Sequence, residues 1–403
     1  MKSIRGIFRI GYGPSSSHTM GPRKAAELFL QSNPDAFRYE AHLYGSLSAT
    51  GKGHLTDVAI TDVIPQVEIL WHDEFLEFHP NGMRFCASDE NGELETEWTV
   101  YSVGGGALVE DPNGAIRLLG DTGDEVSDIY PLKRLSDIKD YCDKMGWDYW
   151  EYVEHYEGKE IWDYLRDVWK VMCEAVERGL DHEGVLPGPL HLRRKAASYY
   201  IKVAGYKDNL RTRGLVFSYA LAVSEENASG GKIVTAPTCG SCGVLPAVLY
   251  HTWRSRDFSE TRILHALATA GLIGNVVKEN ASISGAEVGC QGEVGVACAM
   301  ASAAVNQLFG GTLAQIEYAA EMGLEHHLGM TCDPVCGLVQ IPCIERNAFA
   351  AARALDSNTY AAFSDGSHRV SFDKVVDVMK QTGHDLPSLY KETSQGGLAK
   401  EYK

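Results

Sequence analysis

The sequence predicts an α+β domain followed by an all-α domain. In the first 130 residues, short segments rich in β-branched and aromatic residues alternate with turns rich in glycine, proline and serine. After residue 195 such segments nearly vanish, and alanine-rich and glycine-rich runs with helical spacing replace them. We therefore expect an α+β domain over residues 1–135, a helical connection over 136–185 and an all-helical domain over 186–403.

The strands of the first domain are predicted from three short runs whose residue types suit a pleated, half-buried surface. These runs are Val67–Trp71, Met83–Ala87 and Trp98–Tyr101. Residues 19–31 follow a Ser-His-Thr turn and carry closely spaced apolar side chains, which predicts a helix. The first domain therefore combines strands with a helix.

The connection and the last domain are predicted to be helical. In the connection, tryptophan and tyrosine side chains recur at roughly helical spacing, which is typical of a segment packed on its neighbours. The helical runs of the last domain are Leu215–Val223, Leu245–Thr252, Leu264–Lys278, Val294–Phe309, Leu313–Leu328, Cys343–Ala354 and Val370–Thr382. Their many small residues allow helix backbones to approach closely.

Composition limits the classes of function. With 44% hydrophobic and 23% charged residues, the 403-residue chain has the make-up of an ordinary globular protein with a large core. Its formal charge of −17 argues against nucleic acid and against an anionic membrane as the main partner, and favours a small-molecule substrate. The first ten residues lack an uninterrupted signal-peptide core, and polar residues interrupt the most apolar run, Val294–Phe309. We therefore expect a cytoplasmic protein.

The cysteines are the most distinctive feature of the sequence, and five of the ten lie between Gly285 and Asn347. A reducing compartment does not favour a disulfide framework, which makes metal or redox chemistry a candidate role for some of them. Cys290, Cys332 and Cys343 each lie close to a glycine or proline that breaks or starts a helix. We expect their thiols at helix ends, where free amides and the helix dipole lower a thiol pKa.

Cys290, Cys332 and Cys343 are too far apart in sequence for a compact zinc site or a ferredoxin-type run. They would have to converge from different helices. Three thiolates on a four-iron cluster would leave one iron without a protein ligand, free to act as a Lewis acid on a bound hydroxyl. Inert cysteines buried in the core are the alternative, and spacing alone favours that alternative.

The remaining cysteines of interest have simpler interpretations. Cys239-Gly-Ser-Cys242 follows a proline and precedes a helical run, which favours a structural or substrate-facing turn over a redox pair. Cys336 could be an extra ligand, a redox partner or a filler of the core, and filler is the favoured interpretation. Cys298 lies inside an apolar helical run and is predicted to be filler.

A hydroxyl-rich turn precedes the first predicted helix. It consists of Ser15, Ser16, Ser17, His18 and Thr19. Hydroxyls and free amides at the start of a helix suit a carboxylate, although helix capping alone would explain one of these residues. His54 and His79 lie in similar turn-rich loops, where functional residues concentrate. These features make the turn a candidate binding site.

Taken together, the motifs resemble the iron–sulfur-dependent L-serine dehydratases, also called L-serine ammonia-lyases, in their single-chain form. The matching segments are Gly13–Pro22, Tyr44–Ser48, Thr50–Asp57, His79–Met83, Tyr101–Gly106, Glu225–Thr238, Gly285–Cys298 and Cys332–Asn347. They follow the order of the family and cover most of the chain, with the weakest overlap at residues 107–180.

The resemblance implies a serine-binding-like α+β domain, an all-helical catalytic domain, a [4Fe-4S] cluster and a homodimer. It implies that Cys290, Cys332 and Cys343 are the cluster ligands. The residues expected to bind substrate are Ser15, Ser16, Ser17, His18, Thr19, Lys52, His54, His79, Asn81 and Ser102. The candidates for the catalytic base are His18, His54 and His79, with Ser15, Ser16 or Ser17 as a fallback.

The hypothesis is that L-serine binds between the domains with its hydroxyl on the open iron and loses water, then ammonia, to give pyruvate. No pyridoxal-phosphate lysine motif is visible, and oxygen-sensitive activity is expected. Two departures from the family pattern stand out. The tail at Gly396–Lys403 carries no cysteine, which relatives often use to cap the open iron, and Cys336 replaces a small residue.

Two alternatives come from other classes. One is a related cluster-dependent lyase that acts on threonine or cysteine, which the 2-oxo acid product would reveal. The other is a serine-sensing binding protein with a structural metal, which would contain zinc and form no pyruvate.

Overall fold

The fold is described by a computed structural model that covers residues 1–103, 105–110, 117–119 and 128–402, with backbone only at 117–119. Gly104, within the Tyr101–Gly106 motif, lies outside the described residues. The larger sheet has six strands in the order β3-β2-β4-β5-β6-β7. Its strands are β2 (Arg38–Tyr44), β3 (Glu68–His72), β4 (Gly82–Ser88), β5 (Leu94–Val103), β6 (Ala107–Glu110) and β7 (Arg117–Leu119). Only the β2–β3 pair is parallel.

Helices cover one face of this sheet. They include α1 (Gly21–Ser32), α2 (Ser46–Thr50) and α3 (Thr56–Thr61). Phe29 of α1 packs on Phe85 of β4 with ring centroids 5.4 Å apart, and both side chains are buried. The three predicted strands and the predicted helix are confirmed. Strand β2 was not among the predicted segments, although its buried residues Tyr39 and Ala41 alternate with polar ones in the pattern of a half-buried strand.

The helical region follows. Its helices are α4 (Leu135–Met145), α5 (Tyr149–Glu157), α6 (Ile161–Asp181), α7 (Ala196–Val203), α8 (Asp208–Ala228), α9 (Val244–Arg256), α10 (Glu260–Asn280), α11 (Gly285–Val288), α12 (Val294–Leu308), α13 (Leu313–Glu325), α14 (Cys343–Ala362), α15 (Phe372–Asp385) and α16 (Gly397–Glu401). The predicted order, an α+β region followed by a helical region, is confirmed. Every helical run predicted in the last domain lies within or overlaps one of these helices.

Helix α12 is the centre of the helical core, and it packs against α9, α10, α13 and α14. Almost all of its side chains are buried, and most of them are small. A Cβ atom at Gly323 of α13 would lie 2.9 Å from the backbone of Ala299 in α12. Small residues therefore permit the close approach that the sequence predicted. Among the described residues, no helix is long and apolar enough to span a lipid bilayer.

The first twelve residues pack with the helices and not with the large sheet. The side chains of Met1, Ile4, Ile7 and Phe8 are buried in the helical core. Strand β1 (Ile10–Tyr12) pairs antiparallel with β8 (Lys232–Val234), which follows α8. Helices α4 to α6 of the predicted connection contribute to the same core. The N-terminal segment thus ties the two regions together, and the boundaries at 135 and 185 stay predictions.

Candidate active site

A pocket of about 480 Å³, its mouth included, lies where the hydroxyl-rich turn meets the helical region. Its lining residues come from six separated parts of the chain. They are Pro14, Ser15, Ser16, Ser17, Gly105, Thr238, Gly240, Ser284, Gly285, Glu293, Cys332, Pro334, Val339, Cys343 and Glu392. The pocket therefore brings together the three serines and two of the three predicted cluster ligands.

The turn is held rigidly by its own hydrogen bonds. The Ser15 Oγ accepts a hydrogen bond from the His18 amide at 3.2 Å, and the Ser15 amide donates to the Thr19 Oγ1 at 3.1 Å. The Ser16 Oγ accepts from the amide of Cys239 at 2.8 Å, which joins the turn to the helical region. Ser15 therefore caps the turn and Ser16 anchors it to the helical region, while both line the pocket. The Ser17 hydroxyl makes no bond to backbone in the described structure.

Three histidines stand behind the turn and outside the lining of the pocket. His18 lies between two hydroxyls, with Nδ1 at 2.9 Å from the Ser17 Oγ and Nε2 at 3.0 Å from the Ser46 Oγ. The His54 ring lies 4.5 Å from the His18 ring. Burial, with a contribution from His54, holds the pKa of His18 well below its usual value. His18 is therefore neutral at physiological pH.

His54 and His79 are also neutral. Burial lowers the pKa of His54 to about 4, and both of its ring nitrogens are buried without a hydrogen-bond partner among the described residues. Burial lowers the pKa of His79 as well, and its Nδ1 accepts a hydrogen bond from the amide of Asn81 at 3.1 Å. None of the three histidines contributes to the lining of the pocket.

Of the other predicted substrate-binding residues, Thr19, Asn81 and Ser102 lie behind the turn, and Lys52 does not. The Thr19 hydroxyl donates to the carbonyl of His54 at 2.7 Å. The Asn81 side chain donates to the carbonyl of Ser102 at 3.2 Å, and the Ser102 side chain is buried. Lys52 lies apart from the pocket, exposed, with its ammonium 5.6 Å from the centre of the Trp71 ring.

The three predicted cluster ligands lie close together around Arg346. Cys343 is the first residue of α14, and Cys290 begins a short 3₁₀ turn just before α12. Cys332 was also expected at a helix end, and this was wrong. It lies in an extended segment that pairs with Lys391, because its amide and carbonyl both bond to the chain near the C-terminus.

The expectation that helix ends lower the thiol pKa values was also wrong. Burial raises the pKa of Cys290 to about 11 and holds the pKa values of Cys332 and Cys343 well above that of an ordinary thiol. Repulsion between thiolates adds to this, because Cys290 raises the pKa of both Cys332 and Cys343, and Cys343 raises the pKa of Cys332. The Arg346 guanidinium, which bonds to Cys290, opposes this only in part. Desolvation therefore affects the pKa of these thiols more strongly than the local helix dipoles do.

The three thiols have the chemistry that an iron–sulfur cluster requires of its protein ligands. Among the described residues, no three His, Cys, Asp or Glu side chains surround a point where one ion would bind. A four-iron cluster differs, because each thiolate binds a different iron and the ligands need not meet at one point. Three neighbouring buried thiols next to one cation therefore match the predicted group.

Two carboxylates in the pocket were missed by the sequence analysis. The Glu293 side chain accepts a hydrogen bond from the Thr238 hydroxyl at 2.8 Å and lies near the Cys332 thiol. Burial, and then the charge of Glu293, raises the pKa of Glu392 to about 8. Glu293 could have been noticed as an acidic residue three positions after Cys290. Nothing in the local sequence signals Glu392, which reaches the pocket only through folding of the tail.

The other cysteines considered in the sequence analysis are either buried or, in the case of Cys336, exposed. Cys239 and Cys242 are buried thiols in a 3₁₀ turn that leads into α9, and Gly240 between them lines the pocket, which matches the predicted turn. Cys298 is buried inside α12, as predicted for a filler. Cys336 is not a filler of the core: its side chain is exposed and its backbone is left-handed, with φ at 56°.

Comparisons with known proteins extend over both regions of the chain. A family model described as the serine dehydratase alpha chain matches residues 82–399, and one described as the serine dehydratase beta chain matches residues 3–63. The chain is 40% identical to the L-serine dehydratase of Haemophilus influenzae, 41% to L-serine dehydratase 1 of Escherichia coli and 36% to the L-serine dehydratase of Helicobacter pylori. Each alignment covers at least 99% of this chain and 99% of the relative.

Proposed function

Because the chain belongs to the serine dehydratase family, whose members are ammonia-lyases, we propose that it converts L-serine to pyruvate and ammonia with a [4Fe-4S] cluster. One observation carries this proposal beyond the family name. The pocket is lined both by the Ser15–Ser17 turn and by the thiols of Cys332 and Cys343. A carboxylate-binding surface and a cluster-binding surface thus face the same small space.

The proposed cluster ligands are Cys290, Cys332 and Cys343. A bound cluster supplies a Lewis-acidic iron that makes hydroxide a viable leaving group. The hydroxyls of Ser15 and Ser16 bind the substrate carboxylate and so orient the amino acid in the pocket, which leaves the Ser17 hydroxyl for the reaction. In the proposed orientation, the Cα hydrogen would face Ser17 and the substrate hydroxyl would face the thiols.

The Ser17 hydroxyl is the proposed proton acceptor, working together with His18. Its Oγ faces the pocket and lies 2.9 Å from the His18 Nδ1. If the His18 Nε2 carries a proton and donates to Ser46, Nδ1 is free to take the serine proton. The lowered pKa keeps this ring neutral and therefore able to accept. Loss of the Cα proton and of hydroxide gives 2-aminoacrylate, which tautomerises and hydrolyses to pyruvate and ammonia.

The test is to purify the full chain without oxygen, measure iron and sulfide per chain, and assay pyruvate from L-serine. We expect iron and sulfide near four of each per chain. Cys332→Ala should lose most of both, together with pyruvate formation. The matched control is Cys336→Gly, which removes an exposed neighbouring thiol at a left-handed position and should keep both. Zinc in place of iron, or unchanged iron and activity in Cys332→Ala, would contradict the proposal.

A further inference from the structure

The pocket contains two carboxylates and, among its described lining residues, no basic side chain. The carboxylates belong to Glu293 and Glu392, both of which are half-buried and open to the pocket. Arg346 is the cation nearby, and its charge acts on Glu293. That guanidinium is engaged elsewhere, however, since it donates to the Thr331 carbonyl at 2.7 Å and bonds to Cys290. The pocket therefore offers carboxyl oxygens, with no competing cation among its described lining residues, to a cationic group that enters it.

The position of Glu293 is built into the fold. One of its oxygens accepts the hydrogen bond from Thr238. Two glycines leave room for the carboxylate: a Cβ atom at Gly240 would lie 2.9 Å from one oxygen, and a Cβ atom at Gly285 would lie 2.6 Å from the other. A larger residue at either position would displace this carboxylate. Glu293 is thus held in place from two sides.

Glu392 is brought to the pocket by a segment that we call the tail strap, residues 390–398. The Glu392 amide donates to the Cys332 carbonyl at 2.8 Å, and the Cys332 amide donates to the carbonyl of Tyr390 at 2.8 Å. The backbone of Glu392 is left-handed, with φ at 59°, a conformation that is unfavourable for a residue with a side chain. Surrounding contacts must therefore hold it there.

The rest of the tail strap is anchored on Asp333, the residue after Cys332. The Asp333 Oδ2 accepts a hydrogen bond from the amide of Leu398 at 2.7 Å. The strap packs so closely that a Cβ atom at Gly397 would collide with the Asp333 carboxylate. The Ser394 hydroxyl donates to the carbonyl of Pro334 at 2.9 Å. These contacts fix the strap on both sides of Glu392.

We infer that Glu293 and Glu392 together bind the ammonium group of the substrate amino acid, and that the tail strap serves to place Glu392 for this purpose. The inference rests on the proposed function. An amino acid with a side-chain hydroxyl offers three polar groups. The serine turn binds the carboxylate in the proposed function, and the thiol side of the pocket receives the hydroxyl. The ammonium group then needs an anionic partner. Among the described lining residues, the two glutamates are the side chains that provide one.

The test compares L-serine with L-glycerate, which carries a hydroxyl in place of the ammonium group, on oxygen-free holoenzyme. Glu392→Gln and Glu293→Gln should each raise KM for L-serine about 10- to 100-fold, the range expected when a charge-assisted hydrogen bond is lost. The inhibition constant of L-glycerate should change by less than about threefold. Gly397→Ala, which keeps both carboxylates but dislodges the strap, should raise KM for L-serine in the same way.

The matched control is Glu401→Gln, an exposed glutamate of α16, which should leave KM unchanged. Iron and sulfide content confirm that each variant retains its cluster. Equal weakening of L-serine and L-glycerate would overturn the inference, because it would indicate general damage to the pocket. A fall in kcat with unchanged KM would also overturn it, since it would indicate proton transfer. A wild-type protein that forms no pyruvate would refute the proposed function itself, whereas an active one with unshifted variants would refute only the role of the glutamates.

Discussion

At the scale of single residues, burial sets the protonation state of the groups around the pocket. His18 and His54 are neutral because desolvation disfavours their charged forms. The same effect raises the pKa of the Cys290 thiol to about 11, so this thiol is protonated at neutral pH in the metal-free chain. Binding of the proposed cluster would therefore release protons, and its affinity would rise with pH.

Because Ser17 pairs with His18 and Ser16 does not, alanine substitutions of the two serines should have different kinetic effects. Ser17→Ala should lower kcat about 10²- to 10⁴-fold, the usual range for loss of a positioned proton acceptor, with a smaller change in KM. Ser16→Ala is the matched variant, because the Ser16 hydroxyl accepts from the amide of Cys239 and so holds the turn. It should mainly raise KM. Steady-state kinetics with L-serine measure both effects, and equal losses of kcat in the two variants would contradict the role of Ser17.

At the scale of elements, glycines set how closely the helices pack. Gly179 of α6 faces the backbone of Ala222 in α8, and a Cβ atom there would collide with the Ala222 carbonyl. A backbone neighbour cannot rotate away as the end of a side chain can. The two helices would have to separate, and the contacts around the crossing would be lost.

Gly179→Ala should therefore lower the free energy of unfolding by about 1–3 kcal/mol, even though alanine favours a helix more than glycine does. Gly205→Ala is the control, since the nearest atom to its Cβ would be 3.5 Å away, an ordinary contact distance. This variant should change stability by less than about 0.5 kcal/mol. Urea denaturation followed by circular dichroism compares the two, and a stable Gly179→Ala protein would show that the crossing can relax.

The sequence predicted elements well where local periodicity defines them, as at Val67–Trp71 and in the helix around Ala299. The sequence-based prediction failed where a segment bonds to a part of the chain that is distant in sequence. The proline after Asp333 suggested a helix start near Cys332, but that segment bonds to the tail, and only the folded chain brings Tyr390 there. Glu392 was missed for the same physical reason, because no local pattern reports a contact across so long a stretch of chain.

At the scale of the whole molecule, the N-terminal segment belongs to the helical core although the sheet follows it in sequence. The amino group of Met1 donates to the carbonyl of Tyr130 at 2.5 Å, and Glu157 accepts from the Ser3 hydroxyl and the Tyr130 hydroxyl. The serine turn comes directly after strand β1. The position of the turn over the thiols thus depends on this attachment.

Two phenylalanines of the N-terminal region test that arrangement. Phe8 is 0% exposed and packs in the helical core, whereas Phe37 is 66% exposed at the start of β2. Phe8→Ala should lower the free energy of unfolding by about 3–5 kcal/mol, because it leaves a cavity among the helices. Phe37→Ala should change it by less than about 0.5 kcal/mol. Thermal or chemical denaturation measures both, and similar small effects would show that the N-terminal segment contributes little to the core.

The pocket joins Ser15 near the beginning of the chain to Glu392 near its end. On a translating ribosome, the serine turn emerges early and must wait for nearly the whole polypeptide before its carboxylate neighbour is synthesised. The proposed cluster ligand Cys343 likewise emerges late. The serine turn and all three proposed cluster ligands are therefore synthesised before Glu392, and the pocket cannot be completed until that residue has left the ribosome.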